Sequence, residues 1–314
     1  MNLIRLAQPA SLDNLRLASA EPRAPGPGEV LLRVRASSLN YHDWCVVVGE
    51  IPAADGRVPM SDGAGEVLEV GPPAGDGTTA PFAKGDAVMS TFFPRWRDGP
   101  VGKDVVRSVP GDDADGFASE FVTVPASWLT RQPRGYTHAQ AATLPCAALT
   151  AWRALMVDGP LVSGETVVVQ GTGGVSIFAL QFAKAAGATV VATSSSDEKL
   201  ERLKALGADH VVEVGGAQTL SQSLRACRIG GHVSMIGVLS GREAPVSTAL
   251  LMTKNIRLQG VTVGSHRHQR EMVRAIEATG IVPVIDSHFP LARIADAFRH
   301  QHSGRHLGKI VLDI

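Results

Sequence analysis

The chain has 314 residues, room for about two domains at ~150 residues each. Hydrophobic residues make up 44% and charged residues 19%, the balance of a folded globular protein and not of a disordered one. The 30 Lys and Arg offset the 30 Asp and Glu, so no surface built to neutralise phosphates is expected and nucleic acid is excluded as a partner.

No membrane span is expected either. The longest uncharged apolar stretch, residues 166–183, carries Gln170, Gln181 and three glycines and reads as strand, turn and helix. Residues 1–17 are broken by Arg5, Asp13 and Arg16, which is not a signal peptide and points to the cytoplasm. The cysteines are Cys45, Cys146 and Cys227. No two have metal-knuckle or thioredoxin-like spacing, which argues against a disulfide framework and a structural zinc site.

From residue 1 to about 125 the text is short apolar runs set between Gly and Pro. Strands are expected at 30–34, 66–70, 87–90 and 117–124, a pace that suggests a small irregular barrel. Residues 95–115 are polar and rich in Gly and Asp, and are expected to form a solvated surface loop. After Pro125 strands and helices alternate. Strands are expected at 166–170, 189–193, 211–214, 232–236 and 256–263, and helices at 175–186, 197–206, 218–227 and 269–279. The run 166–170 lacks alternation, as a strand buried on both faces would. The whole pattern is that of an α/β doubly wound parallel sheet. The end of the chain adds a helix at 292–300 and a strand at 309–312, which are expected to return to the first domain. The expected domains are therefore 1–125, completed by 286–314, and 126–285.

The most specific motif is Val167-Val168-Val169-Gln170-Gly171-Thr172-Gly173-Gly174-Val175-Ser176. A buried strand runs into a glycine turn that opens a helix. Gly171 permits the turn, and Gly173 lets the backbone approach a pyrophosphate at the helix N-terminus. Thr172, Gly174 and Val175 complete that cradle. The next strand ends in Thr193-Ser194-Ser195-Ser196 with Lys199 beyond. An acid there would hold the ribose hydroxyls of NAD, whereas serine hydroxyls and a lysine suit the 2′-phosphate of NADPH. Asp197 is read as a helix cap. NADPH is therefore expected over NADH.

Several further segments carry a resemblance. Asn40-Tyr41-His42-Asp43, Gly63-Ala64-Gly65-Glu66-Val67, Lys84-Gly85-Asp86, Leu144-Pro145-Cys146, Ala151-Trp152, Ile236-Gly237-Val238-Leu239 and Gly304-Arg305-His306-Leu307-Gly308-Lys309 resemble the medium-chain dehydrogenase/reductase superfamily. The nearest likeness is to its zinc-free, quinone oxidoreductase-like branch, which is often described as alcohol dehydrogenase-like. The resemblance implies a GroES-like β-barrel catalytic domain and a Rossmann domain. Where zinc members of the superfamily place their ligands, it puts Asn40, Ser61-Asp62 and Cys146, too few thiolates and carboxylates for zinc. It also places Thr150, Val238, Leu239, Val263 and Lys309 at the cofactor.

Without a metal, hydrogen bonds must polarise the carbonyl of a small quinone, enone or similar substrate. Tyr41 is the expected proton donor and His42 the second candidate. Asn40 would orient the substrate carbonyl or the cofactor carboxamide, and Asp43 would anchor the loop. A zinc-free alcohol dehydrogenase and a catalytically weak NADPH-binding or regulatory protein are the alternative readings. A homodimer paired through the final Rossmann strand is expected.

The nucleotide half is short. Gly207-Ala208-Asp209-His210 runs directly into Val211-Val212-Glu213-Val214-Gly215-Gly216, so one strand–helix unit of ~25–30 residues is missing. A five-stranded sheet of order 2-1-4-5-6 would remain.

Overall fold

From residue 29 to 36 buried side chains alternate with more accessible ones, the period-two pattern of a strand. Residues 29–38 form the central strand of the computed structural model, which describes residues 1–194, 197–205, 210–212, 219–237, 243 and 246–314. In chain order the elements begin with β1 (Asn2–Leu6), β2 (Leu15–Ser19), β3 (Glu29–Ser38), α1 (Tyr41–Val47), β4 (Gly63–Val70), β5 (Ala87–Ser90), β6 (Phe121–Pro125), β7 (Leu129–Arg131) and α2 (His138–Ala142). A wide-turned helical stretch, Leu144–Asp158 in all, contains α3 (Leu149–Trp152). Then follow β8 (Thr166–Gln170), α4 (Gly174–Ala185), β9 (Thr189–Thr193), α5 (Asp197–Ala205), β10 (His210–Val212), α6 (Thr219–Ala226) and β11 (His232–Met235). The chain closes with α7 (Thr248–Lys254), β12 (Arg257–Gly260), α8 (His266–Thr279), β13 (Ile285–Pro290), α9 (Ile294–His302) and β14 (Lys309–Asp313).

The elements gather into two compact units. The first holds Met1–Leu149, Gly173–Ile177 and Val263–Ile314. Its main sheet has the order β13-β14-β3-β4-β5-β7, with β6 also paired to β3. The C-terminal strand β14 runs antiparallel to β3 and so brings residue 309 beside residue 39. One core cluster of this unit packs Ile4, Leu39, Val47, Met60, Phe298 and Leu312, and a second packs Val30, Leu32, Val67, Phe117 and Leu129. Contacts carry residues 126–149 and 263–285 with this unit, beyond the boundaries expected from sequence. The reasons are local: β7 pairs with β5, and Gln269 of α8 donates to Ser90 O and Thr130 Oγ1.

The segment 95–115 is not merely a solvated loop. Trp96 and Val109 are buried in it, as is Asp112, and Trp96 O accepts from His266 N. Its Gly and Asp content describes its turns, while its few apolar residues fix it to the unit.

The second unit holds Thr150–Thr172 and Phe178–Thr262. In its core Trp152 meets Phe182 edge-on at 5.5 Å between ring centroids, and Phe182 stacks with Phe178 at 6.2 Å. Strands β8, β9 and β10 form a parallel sheet of order β10-β9-β8, while β11 and β12 form a separate parallel pair. This corrects the order expected from sequence. Strand β10 extends the sheet beyond β9, as a third Rossmann strand does, and among the described residues no strand joins β8 to the β11–β12 pair. The same gap explains β8. Only Val169 of that strand is buried and Val168 is 50% exposed, because among the described residues β8 has no strand neighbour besides β9. Among the described residues no helix is long and apolar enough to cross a membrane.

Candidate functional site

The site in the first unit is built on the turn that feeds α1. Asp43, in the first turn of that helix, accepts from Asn40 N at 2.9 Å and from Ser61 N at 2.7 Å. One buried carboxylate thus ties residue 40 to the 61–62 segment, the anchoring role expected of it. Asn40 Nδ2 donates to Ser61 Oγ at 3.1 Å. On the other side of the carboxamide, Lys309 Nζ donates to Asn40 Oδ1 at 2.6 Å and to Leu39 O at 2.5 Å.

Lys309 owes its place to Gly308, whose φ of +82° is left-handed and whose Cβ would stand 2.3 Å from Val284 O. Only glycine fits there. The lysine stem then passes over Gly174, where a Cβ would stand 2.4 Å from Lys309 Cδ.

Asp62 lies in the same pocket. Its Oδ2 accepts from Cys146 N at 3.3 Å, while its Oδ1 is buried without a hydrogen-bond partner. Burial pushes the Asp62 carboxyl up to about 7; the Lys309 charge pulls against that rise and the Asp43 charge adds to it. Burial likewise lowers the Lys309 ammonium, against the hold of Asp62, Cys146 and Asp43. The Cys146 thiol is pushed well above its ordinary range by burial and by Asp62, which leaves it unsuited to act as a nucleophile.

His42 Nε2 lies 2.9 Å from Asp112 Oδ2, and its ring meets Phe92 edge-on at 5.1 Å. Burial disfavours the charged imidazole, but Asp112, Asp43 and Asp62 together outweigh it and raise the His42 pKa. Tyr41, the first residue of α1, is 44% exposed. Asp112 was not legible in the sequence: it sits 70 positions after His42 in a segment with no periodic pattern.

In the second unit β8 leads into the glycine turn. Gly171 has φ +75°, and its N–H donates to Thr193 O. A Cβ at Gly171 or at Gly173 would meet nothing within 4 Å, so the turn presents open backbone. Thr172, Thr193, Ser194 and Thr150 are buried, and Lys199 lies on α5, whose first turn holds Asp197 and Glu198. Gly173, Gly174 and Val175 continue the turn into α4 as part of the first unit. Open backbone ahead of a helix suits a dinucleotide pyrophosphate. Ser195, Ser196, Val238 and Leu239 lie outside the described residues. Val263 is buried with φ +39°, a strained setting for a β-branched residue. Beside it, Ser265 caps α8 through His268 N, and Arg267 pairs with Glu271 within the helix and with Asp98 of the 95–115 segment.

A barrel that carries polar side chains and a nucleotide-type glycine turn are the parts of an NAD(P)-dependent oxidoreductase. Comparison with known proteins agrees. Residues 26–134 match the alcohol dehydrogenase GroES-like domain family and residues 186–312 the zinc-binding dehydrogenase family. A zinc-type alcohol dehydrogenase-like protein of Schizosaccharomyces pombe is 40% identical over 326 aligned positions, covering 93% of each chain. The structure of an NAD-dependent alcohol dehydrogenase superposes with TM-score 0.89 at 28% identity, covering 100% of both chains. A thermostable alcohol dehydrogenase from Pyrobaculum aerophilum with cobalt and zinc bound does so with TM-score 0.87 at 31% identity, covering 100% of this chain and 99% of the other. The chain belongs to the medium-chain dehydrogenase/reductase superfamily, in its alcohol dehydrogenase-like part.

Proposed function

We propose that the protein is an NADPH-dependent reductase of quinones, enones or similar small carbonyl compounds and works without zinc. The observation that carries this reading is the state of Asn40. It stands where the resemblance puts a first zinc ligand, and its carboxamide oxygen accepts from the Lys309 ammonium at 2.6 Å. With Asn40 so engaged, one carboxylate, Asp62, and one thiol, Cys146, are left as donors. That donor set does not fit a tetrahedral zinc site, so no step is derived through a metal.

When bound, a reduced nicotinamide supplies the hydride. On an enone the hydride adds to the β-carbon, the π pair shifts toward the carbonyl oxygen, and the enolate then takes a proton. Tyr41 is assigned as that donor, with His42 held in reserve by Asp112, and Asn40 orients the carbonyl. The hydroxyl-bearing end of β9 and Lys199 support NADPH over NADH.

The test is a set of NADPH-oxidation assays with a quinone, an enone and an aldehyde, together with metal analysis. Turnover of the first two by metal-free protein is expected, with NADPH bound at least tenfold tighter than NADH, about 1.4 kcal/mol. Lys199→Glu is expected to erase that preference. Stoichiometric zinc would sink the zinc-free reading, and aldehyde turnover alone would favour an alcohol dehydrogenase. The assembly proposed is a homodimer paired along β12, whose other edge has no strand partner among the described residues; a monomeric mass by light scattering would refute it.

A further inference from the structure

Among the described residues Lys309 is the only buried lysine. A lone ammonium taken out of water costs several kcal/mol unless oxygens and negative charge surround it, and here they do. Leu39 O and Asn40 Oδ1 accept from Nζ at 2.5 and 2.6 Å. The carboxylates that act on it through charge are Asp62 and Asp43. The Asp62 carboxylate, buried in the same pocket, is favoured by this cation through charge. A carbonyl and a carboxamide oxygen in contact with the ammonium, with the Asp62 and Asp43 carboxylates acting on it through charge, form a cation site in which the cation is part of the chain. The stem is fixed as well: Gly308 sets its origin and Gly174 leaves the space it crosses.

We propose that the Lys309 ammonium is a built-in cation that fills the position of a metal ion and closes the site to divalent metals. This rests on the zinc-free reading above and supplies its physical cause. Two cations cannot share one set of acceptors, and the tethered one is present at a far higher effective concentration than any free ion. Lys309 is accordingly a positioning residue: it holds Asn40 in the orientation in which its amide N–H groups face Ser61, since an ammonium has only donors and can meet only the carboxamide oxygen.

Removing the ammonium is expected to open a metal site. Cobalt(II) is the probe, because a thiolate bound to it gives an intense near-ultraviolet charge-transfer band. In Lys309→Ala, cobalt would bind through Asp62 and Cys146 with release of the thiol proton to solvent. In Lys309→His the new imidazole adds a third strong ligand, and binding at least tenfold tighter than in the alanine variant is expected. The parent should show no band with excess cobalt, and Cys146→Ser in either variant should abolish it. The histidine variant also guards against loss of fold through the cavity that alanine leaves.

A parent that takes up cobalt with the thiolate band would overturn both the inference and the zinc-free reading. A band-free parent together with band-free Lys309→Ala and Lys309→His would overturn the inference alone. A band that survives Cys146→Ser would likewise overturn it, by placing the metal elsewhere.

Discussion

The stem of Lys309 crosses Gly174 so closely that a Cβ at position 174 would stand 2.4 Å from Lys309 Cδ and 3.3 Å from Ala147 Cβ. Nonbonded carbons do not approach to 2.4 Å. The lysine has little room to yield, held by β14 at one end and by Leu39 and Asn40 at the other. Gly174→Ala is therefore expected to lose about 1–3 kcal/mol of stability by overpacking and at least tenfold in rate by displacing the ammonium. Thermal melts and steady-state kinetics check both; a variant that melts and turns over like the parent would show that the lysine repositions freely.

Gly173 is the contrasting neighbour. Its Cβ would meet nothing within 4 Å, so the fold should accept alanine without a change in melting temperature. Space that is open in the protein alone is where a pyrophosphate would approach the backbone. Gly173→Ala is expected to weaken NADPH at least tenfold in a fluorescence titration. Unchanged affinity would remove this turn from the cofactor site.

How much of this was written in the sequence varies with the range of the interaction. Strands Ala87–Ser90, Thr166–Gln170 and Thr189–Thr193 were legible to the residue, because turn chemistry and β-branching are local signals. The hairpin of β1 and β2 was missed: β2 buries none of its residues, and the pairing partners lie up to 17 positions apart. Asn40, Asp43 and Lys309 were named, yet nothing in the text showed that Lys309 reaches Asn40 across 269 positions, since that contact exists only once β14 pairs with β3. Asp112 had no signal at all. The strand order of the second unit was read differently, because residues 207–216 resemble the beginning of one strand and the end of another, whereas the structure places β10 beside β9.

The two proposed proton donors differ in setting: Tyr41 is an exposed residue, and His42 is a half-buried ring paired with Asp112. If Tyr41 supplies the proton, Tyr41→Phe keeps the ring and should slow enone reduction ~10–1000-fold with NADPH affinity and melting temperature near the parent's. If His42 supplies it, His42→Gln should cost more than Tyr41→Phe and remove one limb of the pH–rate profile. Single-turnover reduction at saturating NADPH separates the cases, and a full-rate Tyr41→Phe enzyme ends the assignment to Tyr41.

His266 makes the stability of the first unit depend on pH. Burial, and then the charge of Arg97, lower its pKa to about 4, and its Nε2 is buried without a hydrogen-bond partner. The unfolded chain takes up this proton near pH 6.5 and the folded chain only near pH 4. The neutral ring's contribution is therefore fully present above pH 6.5 and is lost as pH falls through 4, about 3 kcal/mol in all. Asp62 acts in the opposite direction. Its folded pKa of about 7 lies above the unfolded value near 4, so its contribution is present below pH 4 and lost as pH rises through 7. In the parent the two slopes oppose each other and flatten the profile. Comparison with variants separates them. The stability difference between the parent and His266→Gln should shift against the parent from pH 7 to pH 4, and Asp62→Asn should steepen the acid loss that the parent conceals. Denaturant unfolding at half-unit pH steps measures both, and a parent-to-variant difference that stays constant across that range would show that His266 does not titrate as a buried neutral ring.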